Sequence, residues 1–265
     1  MEFVKPKVYL IAQTKLVEDS VLAWLTDMGG EGCLAHVTGD DKEKLIELAA
    51  RRCYKSYALG VNPNVTKIRT DSSVYHENIL LSGHGSVTEH SSVTFAFENV
   101  SRVFTHELVR HRVGTAMSQE SLRYVRLDKL GFWLPSIFEG DDDKAKMSRW
   151  IVKETLIQAE NVQNRLADLW DIENMKDFDK KKELTSAFRR LAPDGLATGI
   201  VFTFNMHAMR HVIEKRTSRH AEEEIRLVFG QIADIMMKEC PLIFGDFEKI
   251  MYKGLYEYIP KYNKV

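Results

Sequence analysis

Apolar residues along this chain follow two rhythms, and each change of rhythm marks an element. Lys7 to Thr14 contains an apolar run and reads as a first strand, and Ser20 to Met28 reads as a short helix. Asp41 to Lys55 follows helical spacing, with Leu45, Leu48, Ala49 and Cys53 on one expected apolar face. From Ser91 to Phe97 the period falls to two, Val93, Phe95 and Phe97 alternating with Ser92, Thr94 and Ala96, which predicts a half-buried strand. Asn99 or Ser101 can then cap a helix running through His111, because either side chain accepts from the free N–H groups of a first turn. Trp150, Ile151, Leu156, Ala159, Val162, Leu166 and Leu169 return to helical spacing, as do Ile225, Val228, Ile232 and Met236 before Pro241 stops that helix. Both stripes are expected in the core. A further helix is expected over Met206 to Lys215, with the next starting at His220-Ala221. Asp141 to Asp143 and the charged stretch Asp177 to Glu183 read as exposed connections.

No linker, internal repeat or low-complexity segment interrupts this order. It predicts a single α+β domain over 1–265, with an antiparallel or mixed sheet flanked by helices rather than a regular strand-helix alternation.

Charge changes the picture by what it removes. The 37 Lys and Arg residues against 38 Asp and Glu leave no net field for nonspecific binding to nucleic acid or an acidic membrane, so local clusters must carry any anion binding. The N-terminal apolar run, Val8 to Ala12, is too short for a signal segment, and no 18 apolar residues run together, so a cytoplasmic protein is expected. Cys33, Cys53 and Cys240 form no CxxC pair and suit reduced thiols better than a disulfide framework or a structural zinc; no metal is expected.

Two apparent motifs fail on context. Gly30 to Ala35 fits a loose GxGxxA pattern but follows a predicted helix instead of a strand, so it lacks the phosphate-cradling geometry. His106-Glu107-Leu108-Val109-Arg110-His111 nearly spells HExxH, yet histidines five apart would lie about 140° apart around a helix. What remains is arginine. Arg102, Arg110, Arg112, Arg123 and Arg126 occur between Ser101 and Arg126 with no lysine among them, and Arg189, Arg190, Arg210, Arg216 and Arg219 accompany His207, His211 and His220. A guanidinium keeps its charge when partly buried and grips phosphate with two parallel hydrogen bonds, so such clusters suit a nucleotide; ion pairing with the many acids is the alternative.

Arg110-His111-Arg112, an eight-residue spacer and Ser121, the last within Ser118-Gln119-Glu120-Ser121-Leu122-Arg123-Tyr124, resemble the signature of flavin-dependent thymidylate synthases. His84-Gly85-Ser86-Val87-Thr88-Glu89-His90 before a Phe-rich strand is similar to another segment of that family. Arg189 four residues before Pro193, then Asn205, Arg216 and His220-Ala221, follow in its order. The similarity runs from about Ala49 to Phe247.

The resemblance implies FAD held by Ser86, Arg110, His111, Arg112, Asn205, His207, His211 and His220. It implies dUMP contacted by Glu107, Arg110, Gln119, Glu120, Ser121, Arg123, Arg189 and Arg216, folate at His84, and Arg216 as the catalytic group that stabilises charge on the pyrimidine. It implies conversion of dUMP to dTMP with methylenetetrahydrofolate as carbon donor and NADPH as reductant of FAD, in a homotetramer whose subunits share sites. Consistently, no cysteine sits in a Pro-Cys-His setting that would make it a ring-attacking nucleophile. Another nucleotide-acting flavoprotein, or a nucleic-acid binder gripping phosphates with its arginines and stacking bases on Tyr124, are the competing readings, the second disfavoured by the near-zero net charge.

Overall fold

A computed structural model describes residues 1–264. Its elements in chain order are β1 (Glu2–Val4), β2 (Lys7–Gln13), α1 (Glu18–Asp27), α2 (Asp41–Tyr54), α3 (Ser72–Ser82), β3 (Ser92–Ser101), α4 (Arg102–Leu108), β4 (Thr115–Gln119), β5 (Gly131–Trp133), α5 (Asp143–Leu169), α6 (Phe178–Phe188), β6 (Ala197–Asn205), α7 (Met206–Thr217), α8 (Glu223–Glu239), α9 (Pro241–Phe244), β7 (Phe247–Tyr252) and β8 (Leu255–Pro260). The strands form a four-stranded sheet of order β2-β3-β6-β4, a parallel pair β1-β5 and an antiparallel hairpin β7-β8, so the chain is α+β with a mixed set of strand pairings.

The chain divides into two compact units. The first comprises Met1–Tyr9, Ala96–Arg110 and Met117–Val201. Its apolar clusters are Leu122, Leu130 and Leu196, and Ala167, Ile172, Leu184 and Phe188. The N-terminal ammonium is tied to Glu160 at 2.7 Å, and the same carboxylate accepts the Leu130 N–H at 2.9 Å. The second unit comprises Leu10–Phe95, His111–Ala116 and Phe202–Val265. Within it Leu25, Cys33, Val37, Leu48 and Tyr57 form one cluster, and Ile225, Val228, Ile232 and Met236 of α8 are fully buried as their spacing predicts.

Ser101 is the cap chosen at the start of α4, accepting from the Phe104 N–H at 3.0 Å; Asn99 instead adopts a left-handed φ of 60° inside the strand, which runs four residues past Phe97. That helix stops at Leu108, short of the predicted His111, so the helical argument against the near-HExxH pattern does not apply to His111, which lies beyond the helix. Asp177 to Glu183 is not a connection: Asp177 caps α6 by accepting from Lys180 N–H, and the charged residues form its first turns.

Two predicted faces are misplaced. On α2 the fully buried residues are Lys42, Glu43, Ile46, Glu47, Leu48, Ala50 and Arg51, while Cys53 is exposed. The face turns because paired charges occupy the core: Lys42 bonds Gln13 at 2.5 Å and pairs with Asp40, and Arg51 pairs with Glu47 one turn away at 2.6 Å. A buried charge is tolerable when it is paired and hydrogen-bonded. On α5 the buried line is Ala145, Leu156, Gln163 and Ala167, and Trp150, Ile151 and Leu169 flank it at 59%, 51% and 77% exposure. Of the predicted stripe Leu156 is fully buried; the rest of the packed line is two alanines and Gln163, which donates to the Phe188 carbonyl at 3.0 Å, so the larger apolar side chains at either end of the helix are left beside it.

Candidate active site

In the second unit, β6 ends at Asn205 and α7 begins on the next residue. Asn205 caps α7, its side-chain oxygen accepting from Ala208 N–H at 2.8 Å, and its own N–H donates to the Gly114 carbonyl at 2.8 Å. Gly114 stands in the spacer after Arg110-His111-Arg112 with φ of 69°, and a Cβ there would collide with the Asn205 side chain. Only glycine fits that conformation and that approach. Periodicity did not single out Gly114, although a lone glycine between a charged tripeptide and a strand was the available signal.

This junction sets three side chains against one another. Arg216 was expected just after a helix but lies in the last turn of α7, and its Nε–H donates to His111 Nε2 at 2.8 Å. The His111 and His211 rings meet edge to face with centroids 5.8 Å apart. Burial first, and then the Arg216 and His211 charges, push the His111 pKa from 6.5 down to about 4. Burial also lowers His211, with Lys215 adding to the effect. His111 is therefore neutral at pH 7, and because its Nε2 accepts from Arg216 the ring proton belongs on Nδ1. His207, one turn before His211, has Nδ1 buried without a hydrogen-bond partner among the described residues. His84 packs its ring against Tyr54 at 5.8 Å, a pairing the sequence did not suggest, and Ser86 is exposed in the turn that follows. Arg112 and His220 are exposed; the His220 N–H donates to Ser218 Oγ, and α8 starts later than predicted, at Glu223.

In the first unit, Gln119 closes β4 and donates from Nε2 to Thr105 Oγ1 at 3.0 Å. Glu120 donates its backbone N–H to the Gly199 carbonyl at 3.0 Å, while its carboxylate accepts from Thr198 Oγ1 at 3.2 Å. Gly199 leaves room for that carboxylate, since a Cβ there would lie 3.1 Å from it. Ser121 begins a turn whose carbonyl accepts from Tyr124 and Val125, and Arg123 extends exposed from it. The Arg123 carbonyl accepts from Thr185 of α6, at whose end Arg189 is exposed. Arg110 is exposed and Glu107 half-buried at the end of α4. Of the arginines first grouped with these, Arg210, Arg219 and Arg126 are ion-paired, to Asp246, Glu257 and Glu173. Arg210 is a core residue rather than a surface one, at 1% exposure.

A titration of the His111 ring resonances should show a midpoint near pH 4. In Arg216→Ala the midpoint should rise but stay below 6.5, because burial is the larger cause. The unfolded chain takes up this proton below its ordinary pKa while the folded chain refuses it until about pH 4, so His111 weakens the fold as pH falls through that window. A wild-type midpoint near 6.5 would contradict the buried, neutral assignment.

The chain resembles known proteins along most of its length. A family model described as thymidylate synthase complementing protein matches residues 34–242. A flavin-dependent thymidylate synthase of Mycobacteroides abscessus is 33% identical over 252 residues, covering 93% of this chain and 92% of the relative. One from Mycobacterium tuberculosis is 34% identical, covering 91% and 90%. Among solved structures, thymidylate synthase X of Helicobacter pylori with FAD and dUMP aligns with a TM-score of 0.55 at 20% identity, over 77% of this chain and 93% of that one. The UMP/dUMP methylase PolB of Streptomyces cacaoi, bound with 5-Br UMP, aligns at 0.63 and 18% identity over 92% and 95%. At those identities the two structures establish the fold alone. No helix among the described residues is long and apolar enough to cross a membrane.

Proposed function

This chain belongs to the flavin-dependent thymidylate synthase family, and from that membership we propose how its own residues divide the work of turning dUMP into dTMP. The observation that carries the reading is the Arg216–His111 hydrogen bond, which joins two separated signature segments in one polar cluster. Residues 1–265 are read as one thymidylate synthase-like unit of function, working in the cytoplasm as a homotetramer.

FAD fits residues that, apart from Arg110 at the end of a first-unit segment, belong to the second unit. The unpartnered His207 Nδ1 offers a hydrogen bond to an incoming polar group, and neutral His111 and His211 present flat rings without a competing charge. Exposed Arg110 and Arg112 supply guanidinium groups for its diphosphate, and Ser86, Asn205 and His220 complete the set proposed to line it. When bound, FAD would supply the redox chemistry, with NADPH as the source of reducing equivalents and methylenetetrahydrofolate as the source of the carbon.

The protein's own part is positioning and charge. Arg110 and Arg123 bind the dUMP phosphate, joined by Arg189, while Gln119, Glu120 and Ser121 orient the nucleotide and Glu107 lies at its edge. Gln119 and Glu120 suit that task because Thr105 of α4 holds the Gln119 side chain, and Gly199 and Thr198 of β6 hold the Glu120 backbone and carboxylate. His84 receives the folate ring. Arg216, its guanidinium plane set by the bond to His111, stabilises negative charge that grows on the uracil carbonyl and N3 as the ring is activated. That interaction strengthens towards the transition state and so accelerates the step.

Purified protein should be yellow, and with FAD, methylenetetrahydrofolate and NADPH it should convert dUMP to dTMP. Flavin absorbance with another nucleotide product would favour a different flavoprotein, and nucleic-acid binding without flavin would favour the binding reading. No cysteine is the nucleophile. Burial pushes the Cys33 and Cys240 thiols up, which keeps them protonated, and Cys53 lies exposed with Sγ directed to the Ala49 carbonyl. Replacing all three cysteines should leave turnover measurable; loss of all methylation in a folded Cys53→Ala variant that still binds FAD and dUMP would refute this. If subunits share sites, mixing inactive Ser121 and Arg216 variants should restore part of the activity after subunit exchange, and demonstrated mixed oligomers with no rescue would count against sharing.

A further inference from the structure

Between the end of α2 and α3, a loop over 55–71 encloses a cleft of about 360 Å³ within the second unit. Its frame is built. Arg51 at the base donates to the carbonyls of Ser56 at 3.0 Å and Arg69 at 2.7 Å, tying both ends of the loop to α2. The Asn62 side chain closes the middle by donating to the Tyr54 carbonyl at 2.7 Å. Tyr54 and His84 stand at the rim with their rings in contact.

The lining contains Arg51, Lys67 and Arg69 and no carboxylate. The Arg51 charge is already met by Glu47, through Nε at 2.9 Å and Nη2 at 2.6 Å. Lys67 and Arg69 are not ion-paired among the described residues; Arg69 reaches only the neutral Asn78 side-chain oxygen, at 3.5 Å. Two exposed cations lining one acid-free cleft, beside a pair of flat rings, fit an elongated ligand with a planar ring at one end and negative charge at the other.

We propose that this cleft holds the anionic arm of a cosubstrate whose ring lies at Tyr54 and His84. The arm is either the glutamate carboxylates of the folate or the phosphate of the reduced nicotinamide dinucleotide. The assignment rests on the reading of His84 as the folate-side residue, and it adds Lys67 and Arg69 as the groups that select for charge and length of the arm. The loop gives the arm a fixed seat instead of leaving it in solvent.

The test uses the full chain loaded with FAD, wild type beside Lys67→Ala/Arg69→Ala and the charge-preserving Lys67→Arg. Isothermal titration with p-aminobenzoyl-triglutamate and, separately, with NADP⁺ reads binding directly. The double variant should bind one of the two probes about tenfold more weakly, as expected when two solvent-facing charge contacts are removed, and the affected probe identifies the arm. Lys67→Arg should bind as wild type does, the wild-type affinity should fall with added salt, and FAD absorbance and dUMP affinity should not change in any variant. Equal binding of both probes by wild type and double variant, or no binding of either by wild type, would overturn the assignment. Failure of the parent reading is separate: it would appear as wild-type protein that does not methylate dUMP at all.

Discussion

Arg216→Ala should fold, retain its flavin absorbance and lose dUMP methylation by about 10²- to 10³-fold, the usual result of removing one preorganised donor from a site where charge develops. That corresponds to ~3 to 4 kcal/mol of transition-state stabilisation. The expected loss is in turnover more than in dUMP affinity, because the interaction grows as the ring is activated. Arg216→Lys should recover little. A lysine ammonium lacks the planar fork, and it cannot offer the Nε–H that meets His111 at 2.8 Å while a second face of the same group addresses a substrate. Flavin absorbance and dTMP formation measured on one sample decide the matter. Near-normal turnover in Arg216→Ala would remove Arg216 from catalysis, and loss of folding would make it a helix-end group instead, which its place in the last turn of α7 would also suit.

The largest effect on stability is expected away from the chemistry, at Asp246. Arg210 and Asp246 are 1% and 7% exposed, joined at 2.6 and 3.0 Å, and Asp246 also accepts the Tyr262 N–H at 3.1 Å. Asp246→Ala strands a guanidinium in the core, still bonded to the carbonyls of Ile243 and Tyr262 but with no counter-charge from this carboxylate. Breaking such a pair costs ~3 to 5 kcal/mol. For a chain of this size that lowers the thermal midpoint by roughly 10 °C. Arg210→Met combined with Asp246→Leu should cost much less than Asp246→Ala alone, since no buried charge is then left unpaired. A loss in Asp246→Ala below ~1 kcal/mol would show that water or rearrangement satisfies Arg210.

The parts of the molecule that were legible in the sequence are those where one principle acts alone. Val93, Phe95 and Phe97 alternate because one side of β3 is buried, and α8 keeps a clean stripe because Ile225, Val228, Ile232 and Met236 all lie fully buried along one line of the helix. The α2 face was misread because its core is filled by Lys42, Glu47 and Arg51, whose burial depends on partners that periodicity does not reveal. On α5, Leu156 is buried with Ala145, Gln163 and Ala167 while Trp150 and Ile151 stay open, a choice among apolar residues that spacing alone does not make. The signature residues pointed to a candidate nucleotide site, but not to their arrangement. That His111 accepts from Arg216 depends on the turn at Gly114 and on the helix start at Asn205, two backbone features fixed by contacts far apart in sequence.

The far end of α7 is held by β8 and the residues that follow it. Thr217 Oγ1, one residue after Arg216, accepts the N–H of Tyr258; Glu257 grips Arg219 through two side-chain bonds at 2.9 and 2.7 Å; and the Tyr262 carbonyl accepts from Arg210 of the same helix. During synthesis these partners leave the ribosome after every signature residue. A nascent chain that already carries Arg110 to Arg216 therefore still lacks the strand that holds the α7 end, and a message truncated shortly before Leu255 would yield a polypeptide with the complete motif and a loose α7 end. A stop codon between α8 and β8 should therefore be as damaging as one within the motif, although it removes no signature residue.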